Sequence, residues 1–424
     1  MFCGLQPPYA VKGRRRMRRR RVLIIVENLP APFDRRVWQE AGTLRRAGYA
    51  VSIICPTGKG YERRFEVIDG VAIYRHPLPL EARGAWGYAL EYGAALAWQM
   101  LLAVRIALTR GFDVIHACNP PDTIFLIAAL FKLFGKRFVF DHHDLCPELY
   151  EAKFGKRGVL WRLMAWLERL TFRTADVVIS TNQSYRRIAL ERGRLRPEQV
   201  FVVRSGPDLA YWPAPHPPRS APRPTIGYLG VMGEQEGLDL FLQAMRRMVY
   251  ERARDVRAVL VGDGSQRRAI EVQAEALGLS AHVTFTGRLS DPEMRARLGA
   301  VDVCVNPDRP SALNDQSTMN KVVEYMALAK PIVQFEGTEG RVSAGGSALY
   351  AAQGDTDDFA DKVLQLLDDE GLRACMGAAG RRRVEDHLAW SHQEAALLAA
   401  YDRVFACKPF ATRDSPLSGR VAEA

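Results

Sequence analysis

Between residues 212 and 224 the chain reads WPAPHPPRSAPRP, six prolines in thirteen residues. No helix or central strand runs through such a stretch, because each proline fixes its own φ and lacks an amide donor. A stiff, extended linker therefore divides the 424 residues into two parts. The same alternation appears on both sides of it. Ahead of it VLIIV, AVSIICP, DVIHAC, FVFDHHD and DVVIST alternate with segments of helical spacing; after it TIGYLGV, VRAVLVG, HVTFTG, VDVCV and PIVQF do so again. Repeated strand-loop-helix units specify parallel sheets covered on both faces, with the chemistry in loops after the strand C-termini. The expected fold class is α/β, two doubly wound parallel-sheet (Rossmann-like) domains over 21–211 and 225–390 facing a cleft, with a last helix over 391–407.

With 48% hydrophobic and 25% charged residues, the composition is that of a soluble globular protein. In the apolar helix expected over 85–108 the longest uncharged run lies between Glu91 and Arg105, short of the roughly 18 to 20 residues a membrane span needs. No span is expected. Residues 1–20 end in a run of arginines with no apolar core behind it, so they read as a disordered basic tail rather than a signal peptide; Met17 is an alternative start. Residues 408–424 read as a second disordered tail. Seven scattered cysteines without a C-x-x-C pair fit buried thiols in a reducing cytoplasm and no metal site. Charge is uneven, with 34 Lys and Arg against 18 Asp and Glu up to Ser205, and 25 against 30 beyond it. A basic first half suits an anionic membrane surface or a phosphorylated acceptor. Nucleic acid is excluded, because the basic residues are not interleaved with exposed aromatics and no nucleic-acid motif occurs.

The stretch 314–331, NDQSTMNKVVEYMALAKP, is the candidate site. A polar loop turns into a helix there, with Ser317 or Thr318 as N-cap and Met319, Val322, Val323 and Met326 at helical spacing. Asn320, Lys321 and Glu324 then lie in the first turns, near free amides and the positive end of the helix dipole. Lysine for a phosphate and a carboxylate for sugar hydroxyls make a nucleotide-sugar site; equally, Lys321 and Glu324 make an i, i+3 surface pair.

Other segments carry weaker signals. In DHHDLCPEL (141–149), His143 between Asp141 and Asp144 at a strand end can donate to substrate with a carboxylate fixing its tautomer, or the loop is merely capped by polar residues. Segment 156–173, with Trp161 and Trp166 among basic residues, reads as a membrane-interface helix or as a core helix with its tryptophans inward. The glycine loops at 230–237 and 262–264 suit phosphate or ordinary strand-to-helix turns. Asp355-x-Asp357 precedes a helix, where an N-cap is the expected role.

Taken together, the ordered segments EAGTLRRAGYAVSIICP, RSGPDL, VLVGDGSQRR, VTFTGRL, VDVCVNP and EYMALAKPIV, closed by W-S-x5-L-L-x-x-Y, resemble the family-4 glycosyltransferases of the GT-B fold over roughly 21–406. The resemblance implies transfer of a sugar from a UDP- or GDP-linked donor, with retention of configuration and without a metal or other cofactor. It implies that Glu324 binds the donor ribose, that His143 approaches the sugar, and that the closing helix crosses back to the first domain. Donor-side positions are Gly230, Gly233, Asp315, Gln316, Ser317, Thr318, Asn320 and Arg288; Arg35, Arg36 and Asp144 lie on the acceptor or phosphate side.

Three departures stand out. Gln316 replaces the first acid of the family's pair, Val231 and Glu236 replace the arginine and lysine that clamp the diphosphate, and PAPFDRR replaces the glycine-rich loop near the start. Lys321, with Arg35 or Arg36 across the cleft, is the expected substitute for the clamp. The leading expectation is a cytoplasmic enzyme, peripheral on the inner face of the cell membrane, that acts on a lipid-linked or glycan acceptor in polysaccharide biosynthesis. The alternatives are a catalytically silent binding subunit and a nucleotide-sugar epimerase.

Overall fold

The computed structural model describes residues 19–77, 84–212 and 223–406. Most of the two tails and of the proline-rich linker lies outside these residues. The first domain comprises β1 (Arg21–Ile25), α1 (Arg35–Arg46), β2 (Ala50–Pro56), β3 (Phe65–Ile68), β4 (Val71–His76), α2 (Gly84–Thr109), β5 (Val114–Cys118) and α3 (Phe125–Lys132). It continues with β6 (Arg137–His142), α4 (Cys146–Phe154), α5 (Val159–Thr174), β7 (Val177–Ser180), α6 (Gln183–Glu191) and β8 (Val200–Val202). Its eight strands lie in the order β3-β4-β2-β1-β5-β6-β7-β8.

The second domain comprises β9 (Thr225–Leu229), α7 (Leu238–Arg246), β10 (Arg257–Val261), α8 (Arg267–Ala276), β11 (Val283–Gly287), α9 (Asp291–Gly299) and β12 (Val303–Asn306). Then follow α10 (Ala312–Gln316), α11 (Asn320–Ala327), β13 (Ile332–Phe335), α12 (Thr338–Ala344), β14 (Ala348–Ala351), α13 (Thr356–Asp368) and α14 (Glu370–Arg383). Its six strands run β11-β10-β9-β12-β13-β14, all parallel. The chain thus folds into two doubly wound α/β domains facing a cleft.

Period-2 alternation explains why the strands read as unbroken apolar runs. In β1, Val22 and Ile24 enter a core with α1, while Leu23 and Ile25 enter the opposite core with α2 and α3. Each such side chain, fully removed from water, contributes about 1.5–3 kcal/mol. The last helix, α15 (Trp390–Ala406), belongs to the first of these cores through Leu397, Tyr401 and Val404, so it completes the N-terminal domain from the far end of the chain. Where it leaves the second domain, Trp390 N donates to Pro207 O at 3.0 Å. A Cβ on Gly206 would run into Leu388 O, so the two crossing segments lie backbone to backbone.

Four features differ from the sequence reading. Segment 61–80 contains a hairpin, β3 antiparallel to β4, whose turn places Asp69 and Gly70 at φ 48° and 76°; the Asp-Gly pair is its signal. The stretch Leu90–Thr109 of α2 is long and apolar enough to cross a membrane, with 22% of it buried, because single charges near its ends do not interrupt the apolar window. Trp166 on α5 is half exposed, so that tryptophan is not in the core. Finally, the helix expected from Ser317 starts at Asn320, because Ser311 caps the short α10 and Ser317 is extended. Asp355 does cap α13, accepting from the amides of Asp357 and Asp358.

Candidate functional site

The cleft is crossed at the start of α1. Asp34 caps α1 by accepting from Val37 N, which fixes the direction of the next residue, Arg35. Its guanidinium reaches the second domain, with Nη1 2.6 Å from Glu324 Oε1 and Nη2 2.6 Å from Asp291 Oδ1. Glu324 lies on the second turn of α11 and is largely buried. Burial pushes its carboxyl up to about 7, against the pull of Arg35. Glu324 therefore pairs with Arg35, not with Lys321. Around this pair is a cavity of about 380 Å³, lined by Asn320 and Val323 of α11, Arg295 of α9, Trp38 and Gln39 of α1 and Tyr211 of the hinge. Phe33 packs its ring 4.0 Å from the Arg288 guanidinium, a second contact between the domains.

Arg36, the neighbour of Arg35, faces the other way. Its Nε and Nη2 take both oxygens of Asp141 at 2.8 and 2.7 Å, and Nη1 donates to Val203 O, so the expectation that it faces a phosphate gives way to a buried role. Glu40, His116, Cys118 and Asp141 have ligand-type atoms within 4.8 Å of one another. The Arg36 guanidinium, on Asp141 and 3.2 Å from Glu40, already supplies a positive charge to that group. Burial pushes Asp141 up, but Arg36, with His116 and His143 beside it, holds it well below the ordinary carboxylate range.

His143 stands at the end of β6 with Nδ1 3.3 Å from Asp141 Oδ2. Burial pushes the imidazole down, yet the Asp141 hydrogen bond and the charges of Asp141 and Asp144 raise it to about 9. It is an imidazolium at neutral pH. The Asn119 side chain holds the loop, accepting from the amides of His143 and Asp144 and donating to Asp144 O at 2.7 Å. Asp144 is buried, which raises its carboxyl.

Lys321 points into the second domain, away from Glu324. Its ammonium donates to Asp308 Oδ1 at 2.7 Å and to Glu236 Oε2, and it lies 5.1 Å from the Tyr228 ring. Burial pushes the lysine down, but the two carboxylates outweigh it and hold the ammonium charged. Its charge is thus matched inside the domain rather than presented to a phosphate. Glu236, at the place of a missing clamp residue, is one of the partners, and Val231, at the other place, is exposed.

The remaining predicted positions separate into two groups. Asp315 is occupied at the start of α12, accepting from Thr338 N at 2.7 Å and Thr338 Oγ1 at 3.0 Å. Gln316, Ser317 and Thr318 meet the first domain: Asn182 Nδ2 donates to Gln316 O at 2.8 Å, Tyr185 Oη lies 3.1 Å from Ser317 Oγ, and Arg204 donates to Thr318 Oγ1. Glu339 adds to this seam, accepting from Ser184 Oγ at 2.8 Å. The Gly230 and Gly233 amides donate to Val261 O and Val231 O. A Cβ on Gly262 would strike Gly230 O and one on Gly264 would strike Met232, so these glycines let two backbone loops touch. Asp291, Arg295, Asp308 and the contacts of Asn182, Ser184 and Glu339 were not picked out from sequence, and Glu236 was read only as a lost clamp position; Asp308 follows the recognised segment VDVCVNP.

Comparison with known proteins agrees with the two-domain fold. Residues 34–206 match the family described as "Glycosyl transferase 4-like domain", and residues 223–369 match "Glycosyl transferases group 1". A 2-deoxystreptamine glucosyltransferase of Streptomyces kanamyceticus is 30% identical over 184 residues, covering 43% of this chain and 46% of that protein. The chain therefore spans about half the length of that relative. A phosphatidyl-myo-inositol mannosyltransferase of Mycolicibacterium smegmatis is 26% identical over 383 residues, 89% of this chain and 91% of the other. The solved sucrose-phosphate synthase of Thermosynechococcus elongatus superposes with a TM-score of 0.76 at 18% identity, covering 92% of this chain and 100% of its own.

Proposed function

Both domains match glycosyl transferase families, so the chain belongs to the GT-B glycosyltransferases of family 4, and we propose that it moves a sugar from a UDP- or GDP-linked donor to a lipid-linked or glycan acceptor. The product belongs to cell-surface or extracellular polysaccharide, the anomeric configuration is retained, no metal takes part, and the enzyme works in the cytoplasm at the inner face of the cell membrane. The observation that supports this reading best is the Arg35–Glu324–Asp291 contact over the interdomain cavity. A ribose entering there replaces the arginine, giving its hydroxyls to the Glu324 carboxylate and leaving Arg35 available to the diphosphate.

Negative charge develops on the leaving diphosphate as the glycosidic bond breaks, and the positive groups near it set the rate. The His143 imidazolium, the amides at the start of α11 and the released Arg35 supply that charge. Lys321 positions α11 through Glu236 and Asp308, with its ammonium kept within the domain. Asp141 is a positioning residue that fixes the His143 ring.

A silent binding subunit is the second reading, favoured by Val231 and Glu236 standing where the clamp cations are expected. Calorimetric titration with UDP- and GDP-sugars, followed by transfer assays, distinguishes the two. Donor binding with slow hydrolysis of the donor supports the enzyme, and binding without turnover toward any acceptor supports the subunit. If a folded Glu324→Ala variant kept full donor affinity and transfer, the site would be wrongly assigned.

A further inference from the structure

Helices α2, α3 and α5 cover one face of the first sheet, and their inward residues Ala103, Ile106, Ile127, Phe131 and Phe172 share a core with Leu23 and Phe140. Their outward residues are also large and apolar. On α2 these are Leu90, Trp98, Leu101, Val104 and Leu108; on α3, Leu126 and Leu130, with Leu133 and Phe134 in the turn that follows; on α5, Val159, Leu160, Leu163 and Trp166. Scattered exposed leucines are ordinary, but outward apolar residues on three helices of one layer point to an interaction surface.

The exposed charges of α2 and α5 themselves are all basic. Arg105 on α2 and Arg162, Arg169 and Arg173 on α5 are exposed. The acids of these helices are turned away: Glu168 is fully buried and pairs with Arg192, and Glu91 is half-buried. Arg169 and Arg173 also line a cavity of about 610 Å³ with Trp166, Glu191 and Arg194. On its other side Arg173 reaches a second cavity, of about 400 Å³, with Arg196, Arg403 and Lys132, the last paired with Asp176 at 2.7 Å.

We propose that this face seats the protein on an anionic phospholipid bilayer, with α2 and α5 in the plane of the headgroups, their leucines and tryptophans at the acyl boundary and their arginines against lipid phosphates. Charge complementarity selects this occupant. In a two-fold contact between copies of the chain, Arg162, Arg169 and Arg173 would come close to their own counterparts, and the nearby acids Glu191 and Asp176 are too few to offset them. The helix α2 lies on the membrane rather than through it, because Ala103 and Ile106 are locked into the sheet core. This assignment rests on the membrane placement proposed above and adds the surface that makes the contact.

The test is co-sedimentation of the full chain with vesicles of phosphatidylcholine alone or mixed with phosphatidylglycerol. The chain partitions to the mixed vesicles, and a Leu101→Glu, Leu163→Glu, Trp166→Glu variant loses at least tenfold in partition while keeping its thermal transition. Arg169→Glu with Arg173→Glu removes the preference for phosphatidylglycerol, and brominated lipid quenches the fluorescence of Trp98 and Trp166. A folded triple variant that still sediments fully overturns the proposal. So does a wild-type dimer in light scattering that the triple variant converts to monomer. Transfer to a water-soluble acceptor stays unchanged in the triple variant, so a failure of membrane seating is distinguished from a failure of the transferase reading.

Discussion

Arg35 Nη1 lies 2.6 Å from Glu324 Oε1, so an arginine of the first domain neutralises the acid on which donor binding in the second domain is proposed to depend. The Arg35 side chain is 49% exposed, as is 57% of its other partner, Asp291, so solvent weakens the contact.

Replacing Arg35 by Ala opens the cleft at little cost to stability, about 1 kcal/mol or less for pairs this exposed. Small-angle scattering is expected to give a larger radius of gyration, and kcat is expected to fall more than donor affinity, because the arginine that pairs with Glu324 is also proposed to serve the diphosphate. An unchanged kcat would remove Arg35 from the chemistry and leave it a latch.

Two titrations bound the working pH range. Burial raises Glu324 to about 7, so the carboxylate proposed to accept from ribose is present above that value and lost below it. In the folding balance the same shift runs the other way: the group's stabilising contribution is full below the ordinary carboxylate range and lost as pH rises through about 7. His143, held by Asp141 near 9, keeps its positive charge below that value. Transfer is expected to rise through about pH 7 and fall through about pH 9. The Glu324→Gln variant loses the acid limb and Asp141→Asn moves the alkaline limb down, both measurable as kcat profiles.

Removal of the Lys321 ammonium leaves Glu236 and Asp308 facing each other with no cation between them. Breaking a buried pair from one side typically costs about 3–5 kcal/mol, and Lys321→Met is expected to lose that much in urea denaturation. Lys321→Met with Glu236→Gln recovers part of it. Equal loss in the single and double variants would mean that the cluster is not coupled.

Gly262→Ala forces apart the loops at 230 and 262, because its Cβ would collide with Gly230 O at a backbone φ of +139°. A clear drop in melting temperature is expected, larger than for Gly299→Ala, where a Cβ meets nothing.

The fold was legible because β1, β2 and β5 are apolar on both faces and the intervening segments keep helical spacing. The Glu324 position was legible for the same reason, lying on an amphipathic helix behind VDVCVNP. Partners distant in sequence were not. Nothing local to Lys321 shows that Glu236, 85 residues earlier, shares its pocket. Arg35 and Arg36 are adjacent, yet about 100° of helical rotation separates their side chains, and only packing decides that one crosses the cleft while the other is buried on Asp141. Asp315 read as a sugar ligand because its capping contact, Thr338, lies beyond the next strand.

The closing helix bears on how the molecule is made. Leu397, Tyr401 and Val404 fill the core under β1, β2 and β7, Tyr401 Oη lies 2.9 Å from His116 Nδ1, and Trp390 Nε1 donates to Thr43 Oγ1. A growing chain meets these partners only after the whole second domain has been synthesised. The domain that leaves the ribosome first is the last to be sealed, and until then its apolar back face waits uncovered.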